Sequence, residues 1–295
     1  MSYITKTNVA SVWRDIKDIW VNVSGTWRRC AAVWVNVSGT WKQVHIPIID
    51  VIVSANTDDL DLFTSAGSPT VVSLIRLTVN AGIYVRATSI ATAALTATGF
   101  PSGTLINITN NGYIYGMGGN GGAGGDSSAT LLYAYPGSGG QGGGDAITAD
   151  QDLTIDNTSG YIFAGGGGGG GAGAAMDGGC NAGSGGGGGG GQGSYTSSGG
   201  PHGGGDPNLG TGTDGNTGSD AAPGTGGSTY GGAVGGTGGA WGTAASAGGN
   251  SNDVCHSTTV NGGAGGPGGD SVATGGHTVT WLGGSGPTQV KGSVT

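Results

Sequence analysis

The constraint that governs this chain is bare backbone. Between about residues 112 and 286 glycine comes in runs, densest at 165–171 and 185–191. Shorter clusters lie at 118–125, 137–144, 199–205, 224–239 and 262–269. Such segments have no side chains from which to build a core. One reading is a flexible coil, because each glycine loses more backbone freedom on ordering than any other residue. The other is a set of straight left-handed rods of the polyproline II type, which rise about 3.1 Å per residue and make no internal hydrogen bonds. Without Cβ atoms, rods can approach closely enough to pair N–H and C=O groups sideways, as buried backbone requires.

The pattern of interruption favours rods. The runs recur at similar lengths, and the separators carry turn residues, as at Asp206-Pro207-Asn208 and Asp214-Gly215-Asn216. They also carry aromatics that a linker does not need. A collagen helix is excluded, since there is no strict Gly-X-Y period and proline is scarce.

Composition narrows the function classes. All 17 acidic residues are aspartate, and strong helix formers are few, which is unlike an α/β enzyme. Residues 1–50 carry six Lys/Arg against three Asp, whereas the remainder carries three against fourteen. An acidic main body argues against nucleic acid as a partner. No apolar stretch is long enough to span a membrane, and the N-terminus does not read as a secretory signal. Assembly in a cytoplasm is the expectation. Cys30, Cys180 and Cys255 match no disulfide framework or metal pattern. Cys180 and Cys255 could meet across separators, but free thiols are the expected state.

The first fifty residues have a rhythm of their own. Trp13, Trp20, Trp27, Trp34 and Trp41 recur every seventh position, and Trp-Val-Asn-Val-Ser-Gly-Thr-Trp occurs twice, at 20–27 and 34–41. The content is strand, tight turn, strand, which predicts a meander of hairpins rather than a coiled coil. Five tryptophans exceed what so small a core can bury, so residues 1–47 read as a docking module for another protein. Residues 48–117 predict a small β domain. Its last part, Leu105-Ile-Asn-Ile-Thr-Asn-Asn-Gly112-Tyr-Ile-Tyr-Gly, is echoed by Leu153-Thr-Ile-Asp-Asn-Thr-Ser-Gly160-Tyr-Ile-Phe-Ala. Twice, then, a strand hands the chain to a glycine run. Residues 118–276 would form the rod bundle, and 277–295 two closing strands that pair with the earlier ones.

A search for chemistry finds none. There is no phosphate loop, no nucleophile elbow and no zinc spacing among the four histidines. Calcium-like starts at 121–126 and 265–272 lack the tandem repetition a β-roll needs. No cofactor and no enzymatic activity are expected. What remains is recognition by loops on a rigid scaffold. Tyr133, Tyr135, Tyr195, His202, Tyr230, Trp241 and His256 lie in the separators, in a Tyr/Ser/Gly/Asn setting like that of antibody loops.

With its tryptophan-bearing attachment segment and its glycine runs alternating with aromatic-bearing segments, the chain resembles the receptor-binding adhesins at the tips of the long tail fibres of T-even-like phages. The resemblance implies a polyglycine II sandwich, a location at the fibre tip in the virion, and no enzymatic activity. It implies that the five tryptophans attach to the trimeric fibre protein. It also implies that the separators bind a bacterial outer-membrane protein or surface glycan. The fold class expected is thus mostly β and irregular, with a hairpin module, a small β domain and a bundle of polyglycine II helices. The alternative is a structural or ice-binding protein, which would need Thr or Ala repeated at fixed spacing.

Overall fold

The computed structural model describes residues 6–9, 12–15, 19–30, 33–128, 132–205, 211–229 and 233–295. Its frame is a three-sided parallel β-solenoid of five windings. One sheet stacks Ile48–Val53, Leu74–Val79, Leu105–Asn110, Leu153–Asp156 and Val279–Gly283. The second stacks Thr57–Asp58, Tyr84–Arg86, Tyr113–Tyr115, Tyr161–Phe163 and Val290–Lys291. The third stacks Leu60–Asp61, Leu95–Ala97, Ile147–Ala149, Asp270–Ala273 and Ser293–Val294. Each winding contributes one strand to each sheet. Residues 48–117, 147–163 and 270–294 therefore share one framework, and the closing strands pair with the earlier ones as expected.

The period-two alternation of strands builds the core. In register, Val51, Leu77, Ile108 and Ile155 form one inward rank. Val85, Ile114 and Ile162 form a second, and Leu60, Leu95, Ile147 and Val272 a third. Like residues stack on like, so each winding buries the face its neighbour cannot cover alone. The single α-helix among the described residues, Leu62–Ser65, is capped by the Asp61 carboxylate, which accepts from the N–H groups of Phe63 and Thr64.

Glycine-rich chain leaves the solenoid twice and returns twice. It departs from the second sheet at residues 116 and 164, and re-enters the third at 146 and 270. Between these points the described residues run back and forth as ten extended rods: 116–125, 135–144, 164–174, 184–193, 197–205, 211–219, 224–229, 233–240, 243–249 and 262–269. The rods bond sideways at every third residue. The N–H groups of Gly116, Gly119, Gly122 and Gly125 donate to the carbonyls of Phe163, Gly166, Gly169 and Ala172 at 2.8–2.9 Å. Those of Gly165, Gly168, Gly171 and Ala174 donate to Gly144, Gln141, Ser138 and Tyr135 at 2.8–3.1 Å.

The two densest runs are the two surrounded rods. Rod 164–174 donates to rods 135–144, 184–193 and 243–249, and accepts from rods 116–125, 233–240 and 262–269. Rod 184–193 likewise meets six others, at 116–125, 164–174, 197–205, 211–219, 224–229 and 233–240. Every residue in 164–174 is buried, and so is every residue in 184–193. A Cβ on Gly168 would run into the carbonyl of Asn120. Rods at the edge have an open side, and side chains return there at every third position: Met117, Asn120 and Ala123; Ser138 and Gln141; Val234, Thr237 and Ala240; Ala264 and Pro267.

The hairpin module differs in one respect from a meander. Lys6–Val9 pairs with Val12–Asp15, Trp20–Val23 with Thr26–Arg29 and Val33–Val37 with Thr40–His45, as three separate two-stranded sheets. Both copies of the repeat turn through Ser-Gly at positive φ (Ser24 53°, Gly25 85°; Ser38 53°, Gly39 86°), which suits a two-residue hairpin. The side chains of Asn22 and Asn36 accept from the N–H groups of Gly25 and Gly39 at 2.8 Å.

The lattice predicts a sharp contrast between glycines. Gly168→Ala forces rods apart and should destabilise by at least the ~1–3 kcal/mol typical of overpacking. Gly204→Ala meets only the Asp126 carboxylate at 3.5 Å and should stay within about 0.5 kcal/mol. Thermal unfolding followed by circular dichroism checks this, and equal midpoints would refute the lattice account.

Candidate functional site

The rods have two ends, fixed by their hydrogen-bond register. At the base, next to the solenoid, lie the connections 194–196, 220–223 and 241–242. At the far end lie the paired strands Ser127–Ser128 and Tyr133–Ala134 and the hairpins 175–183 and 250–261. The connections 206–210 and 230–232 lie outside the described residues, and with them the expected site residue Tyr230.

Two expected binding residues belong to the base. Trp241 is only 5 % exposed and packs on Tyr115 and Phe163, with ring centroids 4.7 and 5.6 Å away. Its backbone N–H donates to Gln192 Oε1 at 3.2 Å. Tyr195 donates its hydroxyl to Asp58 Oδ2 at 2.8 Å, and Arg86 lies 4.7 Å from its ring centroid. These contacts set both residues at the base, away from the far-end loops, and bury Trp241. They belong to an aromatic seam between solenoid and rods, completed by Tyr115 stacked on Phe163 and by Lys291 over Phe163. Burial pushes the Tyr115 hydroxyl far above its ordinary pKa, with the neighbouring tyrosines adding to the rise, so it stays protonated.

The far end gathers the others. Ser127–Ser128 pairs with Tyr133–Ala134. A four-stranded sheet joins Ala182–Gly183, Ala175–Met176, Ser251–Asp253 and Thr258–Val260. Tyr133 stacks on Tyr135 (6.2 Å) and on His256 (5.6 Å, rings 18° apart). Asp253, 3 % exposed, sets this cluster. Its carboxylate accepts from the His256 N–H at 3.2 Å and holds His256 Nδ1 at 2.9 Å. Tyr133, Tyr135, Leu132 and Val254 are about half exposed. His202 sits towards the same end on rod 197–205, and its Nδ1 lies 2.6 Å from Asp214. The backbone and side-chain hydrogen bonds from His202 lower the Asp214 pKa.

Beside the cluster is a cleft of about 250 Å³ between two hairpins. Met176, Asp177, Asn181 and Gly183 form one wall, and Ser251, Asn252 and Val254 the other. Asp177 organises the first wall. Its carboxylate accepts from the backbone N–H groups of Gly179 and Asn181 and from Asn181 Nδ2, all at 2.9 Å. These bonds, the Asn181 side chain first, lower its pKa.

Cys180 and Cys255 are disulfide-bonded across these hairpins, with Cα atoms 5.5 Å apart. This corrects the expectation of free thiols. Seventy-five residues separate the pair in sequence, and only the return of rods 164–174 and 243–249 to neighbouring positions brings them together. Cys30 is free. The sequence reading missed the bridge, the cleft and the exposed Leu132 and Val254. The available signal was that both cysteines sit in turn-rich separators, at Asp177-Gly-Gly-Cys180-Asn and Asp253-Val-Cys255-His. Among the described residues no His/Cys/Asp/Glu group is placed to hold a metal, and no helix could cross a membrane.

A rigid scaffold that ends in a face of convergent loops is the architecture of a recognition protein. Residues 48–295 match the family of phage tail fibre adhesin Gp38, and the chain belongs to that family. The matched region begins at the first solenoid strand and leaves out the hairpins. Among solved structures, the chain is similar to one in the gp37-gp38 adhesin tip complex of the bacteriophage S16 long tail fibre. That match has 22 % identity, a TM-score of 0.51, and coverage of 86 % of this chain and 84 % of the other. Comparison with curated proteins returned no match. As a tail fibre adhesin the protein is a component of the phage particle.

The Asp177 turn yields a pH prediction. Its folded-state pKa is depressed, so its ordering effect is complete above the ordinary aspartate value of about 4 and is lost as pH falls through the lower folded value. Amide exchange at Gly179 and Asn181 should accelerate on acidification, after correction for intrinsic rates. In Asp177→Ala it should already be fast at neutral pH and show no such step. An unchanged protection pattern in the variant would contradict the role given to this carboxylate.

Proposed function

We propose that the chain is the receptor-reading tip of its fibre, acting by binding alone, with the far-end loops as its contact surface. The observation that carries this is convergence. Tyr133, Tyr135 and His256, drawn from segments more than a hundred residues apart, form one exposed cluster on the end of a lattice whose opposite end is sealed on the solenoid. Rigid aromatic anchors with small polar neighbours suit contact with a bacterial outer-membrane protein or surface glycan. His202 lies close enough to the same end to share in it. The rods are proposed to be polyglycine II helices. Support comes from the three-residue bonding period, the sixfold neighbourhood and the lack of positive φ at 165–171 and 185–191.

The hairpin module is proposed to seat on the trimeric fibre protein. Trp20, Trp27, Trp34 and Trp41 are 53–65 % exposed. By register, Trp20 and Trp27 share one face of their hairpin, and Trp34 and Trp41 share one face of theirs. Apolar surface on this scale marks an interface. Trp13 falls on a strand of the remaining hairpin, at the position opposite Asn8, and is proposed to act with them. Assembly then takes place in the host cytoplasm. The ice-binding alternative gains nothing from the rod edges described above, where Met, Asn, Ser, Gln, Val and Pro break up Thr237 and the scattered alanines, so neither Thr nor Ala repeats at fixed spacing.

Tyr133→Ala and Tyr135→Ala should each weaken adsorption to host cells about tenfold or more, the scale of an interface hot spot, with unfolding midpoints unchanged. Trp241→Ala should instead destabilise by about 3–5 kcal/mol, as a buried aromatic does. Adsorption assays beside thermal melts separate the two classes, and wild-type adsorption by both tyrosine variants would reject the far-end face. Removing residues 1–45 should abolish co-purification with the fibre protein while leaving the melt of the remainder intact.

A further inference from the structure

We infer that the Cys180–Cys255 bridge is a redox lock on the far-end cleft, open during assembly and closed outside the host cell. The inference rests on the receptor-reading role of that end. Its starting point is how little else joins the two walls. Among the described residues, hairpins 175–183 and 250–261 share one paired position, Met176 with Asp253, whose bonding includes Val254 N–H to Met176 O at 3.1 Å. Ser251 Oγ also donates to the carbonyl of Ala174, at the foot of the cleft. Above that foot, the described residues tie the Asp177–Asn181 turn to the turn that carries His256 through the bridge and through the Cys255 sulfur itself, which lies 3.4 Å from the Asp177 carbonyl oxygen.

The rods beneath need no such tie. Gly173 N–H donates to Gly249 O at 3.1 Å, and the lattice fixes both rods along their length. The bridge therefore closes a short local loop at the tip rather than the whole intervening chain. Opening it frees the two turns and leaves the scaffold ordered. Both cysteines are partly exposed, so solution thiols and disulfides can reach them.

Protein thiols stay reduced in a cytoplasm and pair in oxidising surroundings. Outside the cell the lock closes by exchange with a small-molecule disulfide such as glutathione disulfide. One cysteine thiolate attacks it, forming a mixed disulfide and releasing one glutathione thiolate, which takes up the proton the cysteine gave. The second cysteine then attacks the mixed disulfide, the new S–S bond forms and the second glutathione leaves as thiol. Two protein thiols are oxidised and one glutathione disulfide is reduced.

Two measurements on the full chain test this, each comparing oxidised protein, protein reduced with a phosphine, and the double variant Cys180→Ser/Cys255→Ser. The first is amide hydrogen exchange. Reduction should raise exchange at 175–183 and 250–261 and leave 165–171 and 185–191 protected. The double variant should match the reduced protein and ignore the phosphine, which sets aside any effect at Cys30. Unchanged exchange at the two hairpins overturns the lock, and so does loss of protection throughout the rods. The second is adsorption to host cells, which should weaken about tenfold on reduction, as when a competent arrangement is only fractionally populated. Equal adsorption by oxidised and reduced chains overturns the regulatory role. Failure of every form to adsorb counts against the receptor-reading face instead, and the exchange data still decide whether the bridge orders the cleft.

Discussion

Everything in this molecule depends on the sideways hydrogen bond between two backbones that have no side chains between them. Such a bond is worth only about 1 kcal/mol net, and ordering each glycine costs more backbone entropy than ordering any other residue. A single pair of glycine rods would not hold. The structure answers with number and burial. Rods 164–174 and 184–193 each have six partners, so their polar groups are paired away from water, where leaving one unmade is expensive. Ordering is therefore collective. A rod is stable because its neighbours are, and a single Cβ inside the lattice disturbs several partners at once.

That constraint explains why the sequence looks as it does. Within the lattice, glycine predominates wherever a residue faces another rod. The two surrounded rods are almost pure glycine, whereas edge rods admit a side chain at every third position, where the rod faces outward. Aromatic and turn residues collect at the rod ends, because there the chain must reverse and there is room for rings.

How much could be read beforehand follows from the same physics. The rods were legible because runs of similar length broken by turn residues have few uses, and the hairpins were legible from Ser-Gly between Val-Asn-Val and Thr-Trp. The period of three, with Met117, Asn120 and Ala123 or Ala264 and Pro267 on open edges, was present in the sequence but hidden by the surrounding glycine. The solenoid was not legible as such. The repeat of 105–116 in 153–164 holds two of the three strands of two windings, but the excursions 116–146 and 164–269 interrupt the succession, so five windings read as scattered strands. Tyr195 and Trp241 looked like binding residues because they sit between glycine runs. Nothing local distinguishes a separator at the base from one at the far end, since that depends on how many times the chain has already reversed. For the same reason the pairing of Cys180 with Cys255 was open to the sequence as a possibility but could not be preferred over free thiols.

The reversals raise the question of what sets the register of rods whose inward faces carry almost no side chains to tell them apart. A slip by three residues would satisfy the same hydrogen bonds. The solenoid supplies the missing information. In the second sheet Tyr113 and Tyr115 lie beside Tyr161 and Phe163, fixed by the buried ranks behind them and by ring stacking in front. The next bond along, from Gly116 N–H to the Phe163 carbonyl, is the first of the lattice. A ladder that bonded at every second residue thus becomes one that bonds at every third, starting from a position that side chains have already chosen. At the other sheet Ile147 beside Val272 fixes where two returning rods must end. The apolar solenoid is comparable in length to the glycine region it carries, and it holds the side-chain contrast from which the bare chain takes its alignment, so that the far-end loops inherit their positions from it.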